Sequence, residues 1–282
     1  MTSMGKRLLT TVITLPTLFI IVFLLPQYSY LALSLLAVLT ATYGAKELKG
    51  LYEKAEGTAL HLSPWAIGLL PLAQWFEIAF VPNLPLVDLT VVLLALFFFS
   101  AELRNGNKDE FSKSLSRIGG ESLLILYPGI LITFILRITT LPHPSVSLIL
   151  FFLLVFGNDI FAFIFGMSLG RKNKGIMKVS PNKSLAGFIG GTFSAMVLAV
   201  LYCLFVPGIK EDIPILMAVV LGLATSLAAN IGDLIESAFK RSAKVKDSGS
   251  LIPGRGGLLD SIDSMLASAP IYWLFLTLFY IA

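Results

Sequence analysis

Three aspartates and five cations stand close together in one short segment of a chain that otherwise contains little charge. The segment spans residues 237–263 and reads SAFKRSAKVKDSGSLIPGRGGLLDSID. Only 13% of the 282 residues are charged, against about 25% in ordinary soluble domains. Carboxylates beside Lys and Arg are typical of sites that bind Mg²⁺ and a phosphorylated substrate. Mg²⁺ takes one or two carboxylates together with phosphate oxygens, and the cations neutralise the remaining phosphate charge.

Further polar residues lie inside apolar stretches of the chain. Asp159 stands in FGNDIFAFIFG, and Asn230, Asp233 and Ser237 are spaced so that they share one face of a helix. A carboxylate at the centre of a bilayer costs about 2.5–3.5 kcal/mol, so such residues are functional by default. Helix arithmetic places both aspartates near the inner boundary of the bilayer, where the two aspartates that end the 237–263 segment also fall. We expect these carboxylates to lie at the depth of a phospholipid phosphate.

The composition places the chain among polytopic membrane proteins, because 56% of its residues are hydrophobic. The single cysteine, Cys203, excludes an intrachain disulfide. A membrane span needs about 20 apolar residues. We therefore predict an all-α fold with about nine transmembrane helices, over residues 8–26, 29–45, 64–81, 85–101, 121–141, 146–169, 185–207, 213–239 and 263–281.

The basic residues set the predicted orientation. With the N-terminus in the cytoplasm, every Lys and Arg except Arg137 and Lys210 falls on the cytoplasmic side. The basic loops 170–184 and 240–262 then face the cytoplasm. Polar residues concentrate in the later helices, so we divide the chain into an N-terminal apolar transmembrane bundle, 1–120, and a C-terminal catalytic bundle, 121–282.

The 237–263 segment resembles the C-terminal motif of the phosphatidate cytidylyltransferases, or CDP-diacylglycerol synthases. That motif runs Ser-x-apolar-Lys-Arg, four residues, Lys-Asp, then Pro-x-His-Gly-Gly, an apolar residue, x, Asp-Arg, an apolar residue, Asp. The matching residues are Ser237, Phe239, Lys240, Arg241, Lys246, Asp247, Gly249, Ile252, Pro253, Gly256, Gly257, Leu258, Asp260, Ile262 and Asp263. Arg255 replaces the usual His, and Ser261 replaces an Arg. Residues 170–187 resemble the family's second polar region, with Ala186 in place of a Glu.

The resemblance implies that CTP and phosphatidic acid react to form CDP-diacylglycerol and pyrophosphate, the lipid phosphate attacking the α-phosphorus of CTP in line. Mg²⁺ would be held by Asp233, Asp247, Asp260 and Asp263, and a second cation is left open. The catalytic residues would be Lys246, Asp247, Asp260 and Asp263. The residues that bind substrate phosphates would be Ser237, Lys240, Arg241, Lys183, Arg255, Gly256 and Gly257. Asp159 and Asn230 would be accessory.

Two other functions stay open. A CTP-dependent lipid-alcohol kinase would transfer the γ-phosphoryl group and release CDP rather than pyrophosphate. A transporter belongs to another class, and the gathering of polar residues at one membrane face argues against it. We expect CTP, phosphatidic acid and the lipid bilayer as partners, and we expect no binding of nucleic acid. A homodimer stays open. The expected location is the inner (cytoplasmic) membrane, with the active site facing the cytoplasm.

Overall fold

The computed structural model describes residues 16–170, 175, 177–207, 209, 213–254 and 256–281. Over these residues the chain is helical and contains no β-strand. The main helices are α1 (Gln27–Glu56), α2 (Leu69–Phe80), α3 (Leu86–Asn105), α4 (Ser114–Leu124), α5 (Pro144–Ser168), α6 (Leu185–Phe205), α7 (Ile215–Ser242) and α8 (Leu259–Ile281). Helix α4 continues through a π-helical segment, Ile125–Ile130, into Leu131–Arg137. Pro128 lies within that segment and removes one backbone donor from the helix.

Seven helical stretches in the described part of the chain are long and apolar enough to cross a membrane. They are α1, α3, Ser114–Thr140, α5, α6, α7 and Leu259–Tyr280. The prediction of an all-α, multi-pass membrane protein is therefore confirmed. The count of nine spans and the cytoplasmic N-terminus are not confirmed, and residues 8–15 of the first predicted helix, 8–26, lie outside the described residues.

The single helix predicted over 64–81 is corrected to two pieces, Pro64–Ile67 and α2, with an interruption at Gly68. Helix α2 has 12 residues and is about 18 Å long, well short of the roughly 30 Å of hydrocarbon in a bilayer. The interruption lies against α1, because an added Cβ at Gly68 would be 2.5 Å from the Thr42 hydroxyl. Hydrophobicity alone did not reveal this break.

By its contacts the chain divides into two compact units. Unit 1 comprises Met1–Leu136 and Phe239–Ile262, and unit 2 comprises Arg137–Ala238 and Asp263–Ala282. Helices α7 and α8 each contribute residues to both units. The division predicted near residue 120 rested on the distribution of polar residues and stays a prediction.

Unit 1 is held at its polar end by buried ionic contacts. Arg117 donates to Glu102 with two hydrogen bonds of 2.6 Å and to Asp109 with bonds of 2.6 and 3.1 Å. This guanidinium holds the pKa of Asp109 below its usual value. Lys49 donates to the carbonyls of Leu60 and Leu62, at 2.7 and 2.9 Å, and so ties the polar end of α1 to the segment before α2.

Unit 2 is built on close packing between α5 and α6. An added Cβ at Gly191 would lie 2.7 Å from the Asn158 carbonyl and 2.9 Å from Ala162. Small residues that let helix backbones approach each other are typical of the contacts between transmembrane helices. Helix α8 joins this pair through fully buried Tyr272, whose hydroxyl donates to the Ser147 carbonyl at 2.7 Å.

Candidate active site

The glycine-rich loop between α7 and α8 folds back on itself. Ile252 and Gly256 exchange backbone hydrogen bonds of 2.8 and 3.0 Å, which close a tight turn. Gly254 and Gly256 have φ angles of +84° and +107°, in the region that favours glycine. An added Cβ at Gly256 would lie 2.9 Å from both the Cβ of Asp247 and the Oδ2 of Asp260. The loop backbone therefore passes directly against two predicted catalytic carboxylates.

Asp260 holds this loop from the first turn of α8. Its Oδ2 accepts hydrogen bonds of 2.8 Å from the Ser248 amide, the Ser248 hydroxyl and the Gly257 amide. Its Oδ1 forms an ion pair of 2.5 Å with the Nζ of Lys240 from α7, and both side chains are largely buried. The structure thus brings together Lys240, Gly257 and Asp260, three of the residues singled out in the sequence. The carboxylate of Asp260 also has a role that the sequence did not show, because it orders the loop.

A further carboxylate, which the sequence reasoning missed, holds the same loop from α1. Glu47 accepts hydrogen bonds from the amides of Leu258 and Leu259, at 2.9 and 2.8 Å, at the start of α8. Its Oε2 also lies 3.0 Å from the Ser248 hydroxyl. The first N–H groups of a helix have no partner within the helix and carry partial positive charge, so a carboxylate there is stabilising. No local motif marks Glu47, which in sequence resembles any glutamate at a helix end.

Two glycines of the loop make room for Glu47. An added Cβ at Gly249 would lie 2.8 Å from the Cδ of Glu47. One at Gly257 would contact the Oε2 of Glu47 and lie 2.7 Å from the Gly249 amide. A side chain at either position would push the carboxylate away from the start of α8. Gly257, predicted to approach substrate phosphates, is therefore also needed for packing within the loop.

Unit 2 contains a polar cluster formed by side-chain amides. Asn158 of α5 and Asn230 of α7 face each other with amide contacts of 3.3 and 3.5 Å. Asn230 also lies 3.4 Å from the Thr192 hydroxyl of α6, and Asn158 donates to Asp159 at 3.3 Å. Hydrogen bonds between membrane helices of this kind stabilise their association. The predicted accessory residues Asp159 and Asn230 are thus brought into one network.

Four carboxylates of unit 2 lie close enough to interact. The Asp263 carboxylate, 7% exposed, interacts electrostatically with those of Asp233, Glu236 and Asp159. An added Cβ at Gly232 would lie 3.1 Å from the carbonyl carbon of Asp263, so α7 packs directly against this turn of α8. Glu236 is fully buried and was missed by the sequence reasoning. Its helical spacing from Asp233, three residues, was the available signal.

Four carboxylates on apolar helices need compensation of their charge, either by cations or by protonation. Lys183 supplies part of it through an ion pair with Asp233. Among the described residues, no group of three or more His, Cys, Asp or Glu side chains is arranged to hold a metal ion. Mg²⁺ does not need such a group, since one or two carboxylates with phosphate oxygens and water suffice. Asp233 and Asp263 provide two carboxylates, which are the protein ligands that Mg²⁺ prefers.

Comparison with known proteins identifies the family. The family model described as "Cytidylyltransferase family" matches residues 5–279, which is nearly the whole chain. This chain belongs to the cytidylyltransferase family. The resemblance that residues 237–263 carry is therefore confirmed.

Relatives of this cytidylyltransferase-family chain include the uncharacterized protein YnbB of Escherichia coli K12, 40% identical over 139 residues, 49% of this chain and 45% of the relative. The phosphatidate cytidylyltransferase of Bacillus subtilis is 34% identical over 167 residues, 59% of this chain and 61% of the relative. The phosphatidate cytidylyltransferase of Haemophilus influenzae is 42% identical over 133 residues, which make up 46% of this chain and 46% of the relative. The chain thus spans roughly half the length of the curated relatives it matches.

The remaining predicted residues take varied positions in this cytidylyltransferase-family chain. Arg241, Lys246 and Asp247 have exposed side chains around the loop. Ser237 is buried, at 6% exposure, on α7. Arg255, which replaces the family's histidine, lies outside the described residues.

Proposed function

We propose that this chain is a phosphatidate cytidylyltransferase, which converts CTP and phosphatidic acid into CDP-diacylglycerol and pyrophosphate. One observation carries the proposal: in a chain of the cytidylyltransferase family, the 237–263 segment closes into a loop in which Lys240, Ser248 and Gly257 all bind Asp260. The names of the relatives from Bacillus subtilis and Haemophilus influenzae support the choice of substrates.

The proposed reaction is a single in-line displacement. An oxygen of the lipid phosphate attacks the α-phosphorus of CTP and forms a new P–O bond. The bond from that phosphorus to the oxygen bridging the β-phosphorus breaks, and pyrophosphate leaves with the electron pair. The lipid phosphate is already ionised at neutral pH, so no protein nucleophile is required. The protein contributes positioning and neutralisation of charge.

The cations of the loop are proposed to bind phosphate oxygens. Arg241 and Lys246 have exposed side chains that are able to reach a ligand. Lys240 is held by Asp260, which fixes the position of its ammonium group. We propose the same phosphate-binding role for Lys183, whose ion pair with Asp233 places a cation beside a carboxylate. The role of Arg255 stays a prediction.

Mg²⁺, when bound, would stabilise the negative charge that develops on the transferred and leaving phosphates. Among the predicted ligands, we propose Asp233 and Asp263 as the pair that holds it, because they belong to a group of carboxylates on apolar helices. Asp247 stays a predicted ligand. Asp260 has both carboxylate oxygens engaged by protein donors, so we assign it first to the loop. A second cation also stays a prediction.

We also propose that the N-terminus and the basic loops face the cytoplasm, in the inner membrane. The support is the distribution of Lys and Arg along the sequence. A homodimer finds no support in the comparisons.

The proposal is tested with the full chain in detergent, phosphatidic acid, Mg²⁺ and CTP labelled at the α-phosphate. We expect Asp263→Asn to lower the formation of labelled CDP-diacylglycerol at least about 100-fold. Asp88→Asn is the matched control, because Asp88 is an exposed aspartate in the first turn of α3. Near-normal turnover by Asp263→Asn would remove this residue from the site. Release of CDP in place of pyrophosphate would instead indicate the lipid-alcohol kinase.

A further inference from the structure

A cavity of about 410 Å³ lies in unit 1 between α1 and the loop. On α1 it is lined by Lys46, Gly50 and Lys54, which lie four residues apart on one helix face. On the loop it is lined by Asp247 and Ser250, among others. Cavities that bind small molecules typically have volumes of about 300–1,000 Å³. Its size therefore suits a ligand of moderate size.

Gly50 leaves the backbone of α1 open to this space. A glycine within a helix is less stable there than alanine. Among the described glycines within helices, Gly50 is the one for which an added Cβ would meet no neighbouring atom within 4 Å. Packing of the protein therefore does not require glycine at this position. The missing side chain instead leaves the backbone of α1 open to the cavity, where a ligand could approach closely.

The lining indicates the chemistry of that ligand. Lys46 and Lys54 place two ammonium groups on the same wall, and Tyr43 adds an aromatic surface. The carboxylate of Glu47 also borders the cavity, but it accepts hydrogen bonds from the start of α8. Asp247 adds one carboxylate, which suits a polyphosphate that carries Mg²⁺. The combination favours an anionic ligand with an aromatic part.

The position along α1 favours a water-soluble ligand over a lipid. After the left-handed backbone of Tyr28–Tyr30, helix α1 runs regularly for 26 residues to Glu56 and is about 39 Å long there, whereas the hydrocarbon of a bilayer is about 30 Å thick. Its charged final turns, which contain Lys46 and Lys54, therefore extend beyond the hydrocarbon.

We propose that this cavity binds the nucleoside triphosphate substrate, with Lys46 and Lys54 contacting its phosphates, Tyr43 its base, and Gly50 admitting it to the helix backbone. The inference rests on the proposed function, in which that nucleotide is CTP. It adds residues of α1, distant in sequence from the 237–263 segment, to a substrate site whose other half that segment forms.

The test uses substitutions that fill the cavity or remove its charge. Gly50→Phe places a ring in the open space, and Leu103→Phe is its control, because Leu103 is exposed on α3 and lies outside the cavity lining. Lys46→Gln with Lys54→Gln removes the two ammonium groups. Arg104→Gln is the control for lost charge, since Arg104 is an exposed cation on α3 outside the cavity lining. For each variant, the KM for CTP and the KM for phosphatidic acid are measured separately in detergent, and thermal unfolding reports on folding.

We expect Gly50→Phe and the double lysine variant each to raise the KM for CTP about tenfold or more. The KM for phosphatidic acid should change less than about twofold, and both controls should behave as the unmodified protein. An unchanged KM for CTP in the double lysine variant, or a rise confined to phosphatidic acid, would overturn the proposal.

Direct binding separates this inference from the proposed function. Equilibrium dialysis measures the binding of CTP with Mg²⁺ to the full chain without lipid. If the unmodified chain formed no CDP-diacylglycerol, the proposed function would fail. Binding of CTP that is lost in Gly50→Phe and kept in Leu103→Phe would still support the cavity. Equal binding by both variants would contradict it.

Discussion

At the residue scale, two carboxylates order the glycine-rich loop between α7 and α8. Asp260 accepts from the amides of Ser248 and Gly257, and Glu47 accepts from those of Leu258 and Leu259. Backbone N–H groups at a helix start otherwise rely on water. Because these backbone amides are uncharged, each carboxylate orders the loop through its hydrogen-bond geometry and through its favourable interaction with the dipole of α8.

Glu47→Gln should therefore loosen the loop while keeping a side chain of the same size at this position. The amide group has only one acceptor oxygen, so one of the two amides at the start of α8 loses its partner, at a cost of about 1–3 kcal/mol. We expect the kcat/KM for CTP to fall about tenfold or more and the thermal unfolding midpoint to fall. Glu110→Gln, at an exposed turn after α3, serves as the control. Unchanged turnover and melting for Glu47→Gln would show that the loop does not depend on this contact.

At the element scale, the glycine-rich loop between α7 and α8 adopts backbone conformations that residues other than glycine rarely adopt. Gly256 combines a φ of +107° with close approach to Asp247 and Asp260. Its neighbours leave no space for a methyl group. The loop therefore depends on glycine at this position for both its backbone conformation and its packing.

Gly256→Ala should thus abolish most turnover while the helices persist. Strain at such a position costs about 1–3 kcal/mol, and it falls on the loop rather than on the membrane helices. We expect turnover to fall by an order of magnitude or more with an unchanged far-UV circular dichroism spectrum. Gly119→Ala is the comparison, because its added Cβ would meet its nearest neighbour at 4.0 Å. Equal activity of the two variants would contradict the role given to Gly256.

The helices themselves were largely predictable, since long apolar runs specify them. Helix α1 was predicted to end near residue 45 but continues to Glu56. The last turns of α1 are polar, and polar residues end a hydrophobic span without ending a helix. An ion pair of 3.8 Å between the Lys49 Nζ and the Glu53 Oε1 supports these turns. That extension carries Glu47 and Gly50, so the contribution of α1 to the loop was missed with it. The motif residues Lys240, Gly257 and Asp260 were found because their types and spacing are distinctive.

At the scale of the whole molecule, the two units carry different polar features. Unit 1 contains the ordered loop and the cavity beside α1, whereas unit 2 contains the amide network and the group of four carboxylates. Chain order did not predict this arrangement, because Phe239–Ile262 belongs with the first 136 residues. Long-range contacts of this kind have no local signature in a sequence.

The proposed orientation is tested by cysteine labelling in intact cells. Cys203 is the single cysteine and is buried, so Cys203→Ala gives a cysteine-free background. Ser250→Cys then places one exposed thiol on the loop. If the loop faces the cytoplasm, a membrane-impermeant maleimide should label this thiol only after the cells are opened. Labelling in intact cells would reverse the orientation.

The central claim, that the chain transfers a cytidylyl group to a lipid phosphate, is tested most directly by following the phosphates of CTP. CTP labelled at the α-phosphate and CTP labelled at the γ-phosphate are each incubated with phosphatidic acid, a lipid alcohol such as diacylglycerol, Mg²⁺ and the full chain. We expect the α-label to enter the lipid, the γ-label to leave in pyrophosphate, and chelation of Mg²⁺ to stop both. Appearance of the γ-label in lipid, with release of CDP, would contradict it.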